Sequence, residues 1–319
     1  MSDKIRWGII GPGAIAHEFA QDFQFVDGGD LVAVASRSMD RAKEFADQYK
    51  IEHAFGSYGD LIDSKEVDAL YIATPHNHHF QNSRDALERG KAVLCEKPVT
   101  VNQQECESLM TIAHASGTYL MEGMWTYFLP AIKKAKQWIT EGRIGEIIHF
   151  KSDFGFRATF NPQGRLFNPD LAGGALLDIG IYPLAAAWYY LEKDPTNLSL
   201  KAKKAPTGVD DHLVMQMEYG DVTAELTASL RCHLPNWTYI VGDEGYIAIP
   251  NVWQTRECFH YENGKRVEHF NDKRRSNGYN FETDAVNADL LSGRKQSETV
   301  PLELSLKLQQ HMELVRQKF

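Results

Sequence analysis

Gly11-Pro12-Gly13-Ala14-Ile15-Ala16, set directly behind the apolar run from Ile5 to Ile10, decides how the first half of this chain folds. The run reads as a strand, the string fits G-x-G-x-x-G/A, and an amphipathic stretch follows from Ala14 to Val26. Glycines at these places allow a tight strand-to-helix turn and let a helix N-terminus approach a pyrophosphate. Alone, the string reads equally as a packing turn. Its setting decides for a dinucleotide site: it lies in a βαβ unit whose second strand, Leu31 to Ala35, ends about 20 residues later.

The same rhythm runs outward from the loop to about Glu122. Apolar runs at Ala69 to Ala73, Ala92 to Cys95 and Thr118 to Met121, with a weaker one near Ala54, alternate with helical patterns at Asp40 to Tyr49, Gln81 to Arg89 and Gln103 to Ala115. This predicts a doubly wound parallel sheet over residues 1–124, its strands buried on both faces. Beyond Trp125 the pattern changes. A helix to about Glu141 leads to a strand from Glu146 to about Phe156, a Pro/Gly/Asn-rich loop from Asn161 to Gly174, and a helix from Ala175 to Leu191. From Leu198 to Phe270, β-rich runs are separated by Tyr219-Gly220-Asp221, Gly242-Asp243-Glu244-Gly245 and Glu262-Asn263-Gly264, as in antiparallel hairpins. Helices from Phe281 to Leu291 and Glu303 to Lys318 close a second, α+β domain over 125–319, the last helix being free to pack back on the first domain.

Bulk properties narrow the partners. A chain of 319 residues is expected to form two domains. Its 43 acids and 34 bases are spread along the chain to a net charge of -9, whereas a nucleic-acid groove needs concentrated Lys and Arg. Cys95, Cys106, Cys232 and Cys258 show no Cys-x-x-Cys spacing, and no signal-peptide pattern opens the chain. Apolar runs such as Leu31 to Ala35 fall far short of the ~20 residues that cross a bilayer. A soluble, reduced, cytoplasmic protein that handles a small molecule, with no nucleic acid and no membrane, is the expectation.

At the end of the second strand, where NAD-selective sites place an acid for the ribose 2′-hydroxyl, stands Ser36-Arg37-Ser38. Hydroxyls and a guanidinium suit a 2′-phosphate, so NADP is favoured and NAD remains possible; alternatively the two serines cap the next helix. Ala73-Thr74-Pro75-His76-Asn77-His78-His79 and Cys95-Glu96-Lys97-Pro98 both fall at carboxyl ends of strands, the ligand edge of such sheets. An ammonium there costs desolvation unless Lys97 has a task or a partner such as Glu96. The histidine cluster lacks the spacing of a helix-borne zinc site, and no metal is expected; His79 alone joins the site. The cofactor-binding set is therefore Gly11, Gly13, Ala14, Ile15, Ser36, Arg37, Thr74, Pro75, His79, Glu96 and Lys97.

In Gly173-Gly174-Ala175-Leu176-Leu177-Asp178-Ile179-Gly180-Ile181-Tyr182-Pro183, an acid and a phenol lie four residues apart, on one face of a helix. A phenol titrates near about 10 and becomes a useful base only beside a cation, which Lys97 supplies. Lys97, Tyr182 and Asp178 form the catalytic set, against the plainer reading of Asp178 as a cap and Tyr182 as core. No spacing rule assigns Trp125, Phe154, Phe156, Phe281, Arg157 or Arg165.

With these motifs in place the chain resembles the Gfo/Idh/MocA oxidoreductases over nearly its whole length. The likeness is carried by the glycine loop, Ala73-Thr74-Pro75 with His79, Glu96-Lys97-Pro98, Gly142-Arg143-Ile144-Gly145, the Gly174 to Tyr182 segment and Gly242-Asp243-Glu244-Gly245. Tyr182 stands where the inositol dehydrogenases carry His, and Met121 to Pro130 is most like the dimeric dihydrodiol and D-xylose dehydrogenase branch, which prefers NADP. The resemblance implies a Rossmann domain, a second domain with a large mostly antiparallel sheet, and a homodimer through that sheet. It implies an NADP-dependent dehydrogenase that moves a hydride between nicotinamide and a secondary alcohol or carbonyl of a sugar, polyol or cyclic trans-dihydrodiol, with Tyr182 as acid/base and Lys97 assisting. A non-catalytic NADP-binding regulator or sensor, and a sugar reductase running toward the alcohol, are the alternatives.

Overall fold

Runs of Ile, Val, Leu and Ala supply the first six strands: β1 (Ile5–Ile10), β2 (Gly29–Ala35), β3 (His53–Phe55), β4 (Ala69–Ile72), β5 (Ala92–Glu96) and β6 (Leu120–Gly123). The structure is a computed structural model and describes residues 4–319. All six strands pair in parallel, in the order β3-β2-β1-β4-β5-β6. Parallel neighbours need crossovers, and α1 (Ala14–Asp22), α2 (Met39–Tyr49), α3 (Tyr58–Asp63), α4 (His79–Glu88) and α5 (Gln103–Ser116) provide them. The sheet is buried on both faces, as its unbroken apolar runs require: Ile9, Ile10, Val34, Leu70, Ile72 and Val93 have no exposed surface. Strand order reverses between β1 and β4, which opens a crevice at their carboxyl ends. Only α3 goes beyond the sequence reading. Six residues carry too little periodicity to register, although Ser57 caps its start by accepting the Asp60 N–H at 3.1 Å.

The other sheet has eight strands: β7 (Ile147–Gly155), β8 (Asn197–Lys204), β9 (Asp210–Tyr219), β10 (Val222–Ser229), β11 (Trp237–Gly242), β12 (Gly245–Pro250), β13 (Glu257–Glu262) and β14 (Lys265–Asn271). Their order is β14-β13-β12-β11-β7-β10-β9-β8; β7 and β10 run parallel and every other pair antiparallel. Period-two burial sorts the faces. Leu213, Met215, Leu226, Phe150, Ile240 and Ile247 point to a buried face, against which α7 (Ile181–Leu191) and α6 (Pro130–Thr140) pack. The opposite face carries Glu225, Lys151, Tyr239, Tyr246, Phe259 and Tyr261. Pro169–Leu191 is long and apolar enough to span a bilayer by length and composition, and 78% of its most apolar window is buried, because it is the core helix over this sheet.

Two helices close the chain, α8 (Tyr279–Leu291) and α9 (Leu302–Arg316). Here the organisation departs from a single continuous second domain. Residues 4–125 together with 275–307 form one compact unit, and 126–274 together with 308–319 form the other. The reason is local: Trp7 of β1 donates its indole N–H to Asn287 of α8 at 2.8 Å, and Asp22 of α1 accepts backbone N–H groups at the start of α8.

Candidate active site

The glycine loop joins β1 to α1 at the crevice. Gly11 has φ of 88°, and a Cβ there would meet Thr74 Cγ2 at 2.9 Å, so glycine is required by both backbone and space. A Cβ on Gly13 would meet nothing nearer than the Ala73 carbonyl at 3.9 Å, leaving room beside the loop. No side chain caps α1, and no acid stands in its first turn. Uncapped N–H groups and the helix dipole suit a phosphate anion, so the loop fits a dinucleotide.

Ser36, Arg37 and Ser38 follow β2. Ser36 is buried and its hydroxyl accepts the Ser38 N–H at 3.3 Å; Ser38 caps α2 through the Arg41 N–H, and Arg37 is exposed. Capping thus accounts for Ser38. The structure adds Arg41, whose guanidinium donates to the Pro12 carbonyl in the glycine loop at 3.4 Å. Sequence spacing did not place it there; its position in the first turn of a helix beside the loop was the available signal.

At the end of β4, the Thr74 hydroxyl accepts from Asn82 of α4 at 3.1 Å. His79 is fully buried, and both its ring nitrogens lie 2.8 Å from backbone carbonyls, those of Pro98 and Thr74. Burial disfavours a charge on its ring, whereas the two carbonyls favour one. Across the sheet, Glu96 is buried at the end of β5. It accepts a hydrogen bond from the Tyr71 hydroxyl on β4 and another from the Lys97 N–H at 3.2 Å. Tyr71 stacks on Phe19 of α1 with ring centroids 3.7 Å apart. The Tyr71 link was not foreseen, because a Tyr inside an apolar strand reads as core. Lys97 is half-buried, the Lys97–Pro98 peptide is cis, and the Val99 N–H donates to Glu122 at 2.9 Å. Gly11, Thr74, Glu96 and Lys97 thus lie along one sheet edge. Trp125, after β6, stacks on Tyr279 of α8 at 4.4 Å.

The other unit holds Asp178 and Tyr182. Gly174 has φ of 124°, and a Cβ there would lie 2.4 Å from Asp210 Oδ1. That close approach lets Asp210 accept the Leu176 N–H at 2.6 Å and start the helix. Its first turn, Leu176–Gly180, is a π turn, a local widening frequent at functional sites, and Asp178 sits in it. Arg165, half-exposed on the preceding loop, donates to the buried Asp178 at 2.6 Å. Tyr182 is 7% exposed and its ring centroid lies 5.6 Å from that of Phe154. Phe154 stacks in turn on Trp253 at 3.7 Å and 4°, and Phe156 follows at 6.2 Å. Trp253 was not singled out from the sequence, since it lies between β12 and β13 where no periodicity marks it. Among the described residues, no three His, Cys, Asp or Glu side chains converge as a metal-ligand set.

Such an arrangement, a glycine loop at the switch point of a doubly wound sheet with a lysine on the same edge, defines a nicotinamide-dependent oxidoreductase fold. Residues 5–124 match the oxidoreductase family model with the NAD-binding Rossmann fold, and residues 132–248 match the GFO/IDH/MocA C-terminal domain. The chain belongs to the GFO/IDH/MocA oxidoreductase family. It is 35% identical to the trans-1,2-dihydrobenzene-1,2-diol dehydrogenase of Mus musculus over 324 residues, covering 98% of this chain and 96% of the relative. Identity to the Homo sapiens enzyme of the same name is 32%, with the same coverage. Among solved structures it resembles KijD10, a 3-ketoreductase from Actinomadura kijaniata in complex with NADP and TDP-benzene, with a TM-score of 0.86, 28% identity and 99% and 98% of the two chains covered. An aldose-aldose oxidoreductase from Caulobacter crescentus shares the fold, with a TM-score of 0.90, 24% identity and coverage of 99% and 97%.

Proposed function

We propose that this protein is an NADP-dependent oxidoreductase acting between a secondary alcohol and its carbonyl on a sugar, polyol or cyclic trans-diol. The observation that carries the reading is Lys97, held by Glu96 and the following turn on the sheet edge that also bears the glycine loop. Bound nicotinamide supplies the hydride acceptor or donor. The chain's own residues handle the proton: Tyr182 takes it from the substrate hydroxyl, and the Lys97 ammonium steadies the oxygen as charge develops. Asp178, fixed by Arg165, orients neighbouring substrate hydroxyls. The stacked Phe154 and Trp253 beside Tyr182 suit the flat apolar face of a six-membered ring. Relatives named as dihydrodiol dehydrogenases and a neighbour bound to NADP support the same class.

The test is spectrophotometry across aldoses, polyols, trans-dihydrodiols and the matching carbonyls with NADP(H) and NAD(H). Turnover of at least one such pair is expected. Tight dinucleotide binding with no turnover on the panel would favour a sensor instead. Ser36, Arg37 and Arg41 predict the nucleotide preference. Pairing Ser36→Asp with Arg37→Ala puts a repelling carboxylate where a 2′-phosphate binds and removes a charge-assisted bond of about 1.5–3 kcal/mol, lowering the NADP:NAD ratio of kcat/KM at least about tenfold. An unchanged ratio would remove these residues from the site.

A homodimer through the outward face of the eight-stranded sheet is part of this proposal. Tyr246 and Tyr261 stack there at 4.5 Å, and Phe259 stacks on His269 at 4.6 Å, an aromatic enrichment typical of interface cores. Sedimentation is expected to give a dimer, and Tyr246→Glu a monomer with intact secondary structure; a monomeric parent would refute the assignment. The four free cysteines, three of them buried, suit a reducing compartment such as the cytoplasm.

A further inference from the structure

Two carbonyl oxygens face the two nitrogens of one buried imidazole. His79, the first residue of α4, has no exposed surface; its Nδ1 lies 2.8 Å from the Pro98 oxygen and its Nε2 2.8 Å from the Thr74 oxygen. A backbone carbonyl only accepts hydrogen bonds, and a neutral imidazole has a single N–H. In either neutral tautomer the other nitrogen aims its lone pair at a carbonyl lone pair, across a hydrogen-bond distance with no hydrogen in it. A ring protonated at both nitrogens removes that conflict and forms two charge-assisted hydrogen bonds.

Desolvation opposes the charge, and the Lys97 ammonium and the neighbouring His78 ring oppose it too. The His76 ring lies edge-on, 5.6 Å away. The contact geometry nevertheless decides, because burial withholds the water that would otherwise separate a bare nitrogen from a carbonyl. Both acceptors matter to the site. Thr74 lies just past the end of β4 beside the glycine loop, and Pro98 belongs to the turn after Lys97, which is tied elsewhere by the Lys97 N–H to Glu96 and the Val99 N–H to Glu122.

We propose that His79 is a buried imidazolium and a positioning residue, stapling the turn that presents Lys97 to the end of β4. Its positioning role rests on the reading of Lys97 as catalytic; its charge state does not. The experiment has two arms on the full chain. In the first, the protein is labelled with 15N-histidine, NADP is bound, and long-range proton–nitrogen NMR is recorded from mildly acid to mildly alkaline pH, with His79→Gln assigning the signals. Both His79 nitrogens are expected to show protonated-imidazole shifts throughout, and a pyridine-type nitrogen would overturn the proposal.

The second arm compares two variants at saturating NADP. Glutamine brings two N–H donors to the carbonyls and leucine brings none, so kcat of His79→Gln should exceed that of His79→Leu about two- to tenfold, one net hydrogen bond's worth. KM for NADP should move less than kcat. Equal losses would overturn the positioning role. Where the leucine variant does not fold, the NMR arm on the parent decides. Loss of Lys97 without effect on turnover would sink the enzymatic reading while leaving the NMR result standing.

Discussion

Tyr182→Phe is expected to lower kcat by about two to four orders of magnitude at saturating NADP, the usual contribution of a positioned acid/base. Phenylalanine keeps the ring, and with it the contact to Phe154 at 5.6 Å, so the change isolates the hydroxyl. The expected mechanism explains the size of the loss. An alcohol is a very weak acid, and its hydride leaves readily only as the hydroxyl proton is withdrawn. Without the phenol, water must take that proton without being fixed in place. Lys97→Met removes the ammonium and retains length, and on the proposed mechanism a comparable loss is expected, because the oxygen that gains charge loses its cation.

If the two groups act as one unit, the double variant will be little worse than the poorer single, whereas independent roles would multiply the losses. Dinucleotide binding, followed by nicotinamide fluorescence, should change far less than kcat. Near-parental turnover in both single variants would refute the catalytic assignment. A loss confined to KM would instead place both residues in substrate binding.

The first sheet was legible because most of its strands are built on short apolar runs bounded by a polar or glycine turn, and such a pattern leaves few alternatives; only the three-residue β3, His53–Phe55, reads weakly. Ile5–Ile10 coincides with β1 end to end, and the alternation from Leu198 onward marks hairpins equally well. Side-chain connections were less visible. Arg165 reaches Asp178 from thirteen positions earlier, on the loop ahead of the helix, Tyr71 meets Glu96 across a strand pair, and Phe154 meets Trp253 from a different connection. None of these has a period. The return of 275–307 to the first unit was hidden for the same reason, since a helix's amphipathic face shows that it packs without showing on what.

Asp22→Ala tests that return directly, with an expected destabilisation of the first unit of about 3–5 kcal/mol. Asp22 is the last residue of α1 and is 2% exposed. Its Oδ1 accepts the Asn277 N–H at 2.8 Å, and its Oδ2 accepts those of Gly278 and Tyr279 at 2.7 and 2.9 Å. Gly278 is the N-cap of α8 and offers no side chain for the purpose, so a residue more than 250 positions away caps the helix. A carboxylate also complements the positive end of the α8 dipole. Alanine would orphan three donors, two of them buried, at about 1–3 kcal/mol for each buried one, partly relieved by entering water. Asparagine should fall between parent and alanine: it preserves shape, but its amide presents a donor to at least one N–H.

Because the chain has two units, a single melting temperature can blur the effect. Hydrogen exchange is therefore the sharper readout, and the amides of 277–279 and of α8 should lose protection together while those of the eight-stranded sheet keep theirs. Added NADP should restore part of the protection by binding the folded first unit. Unchanged exchange at the start of α8 in Asp22→Ala would show that helix packing alone, through contacts such as Trp7 with Asn287, holds this segment in place.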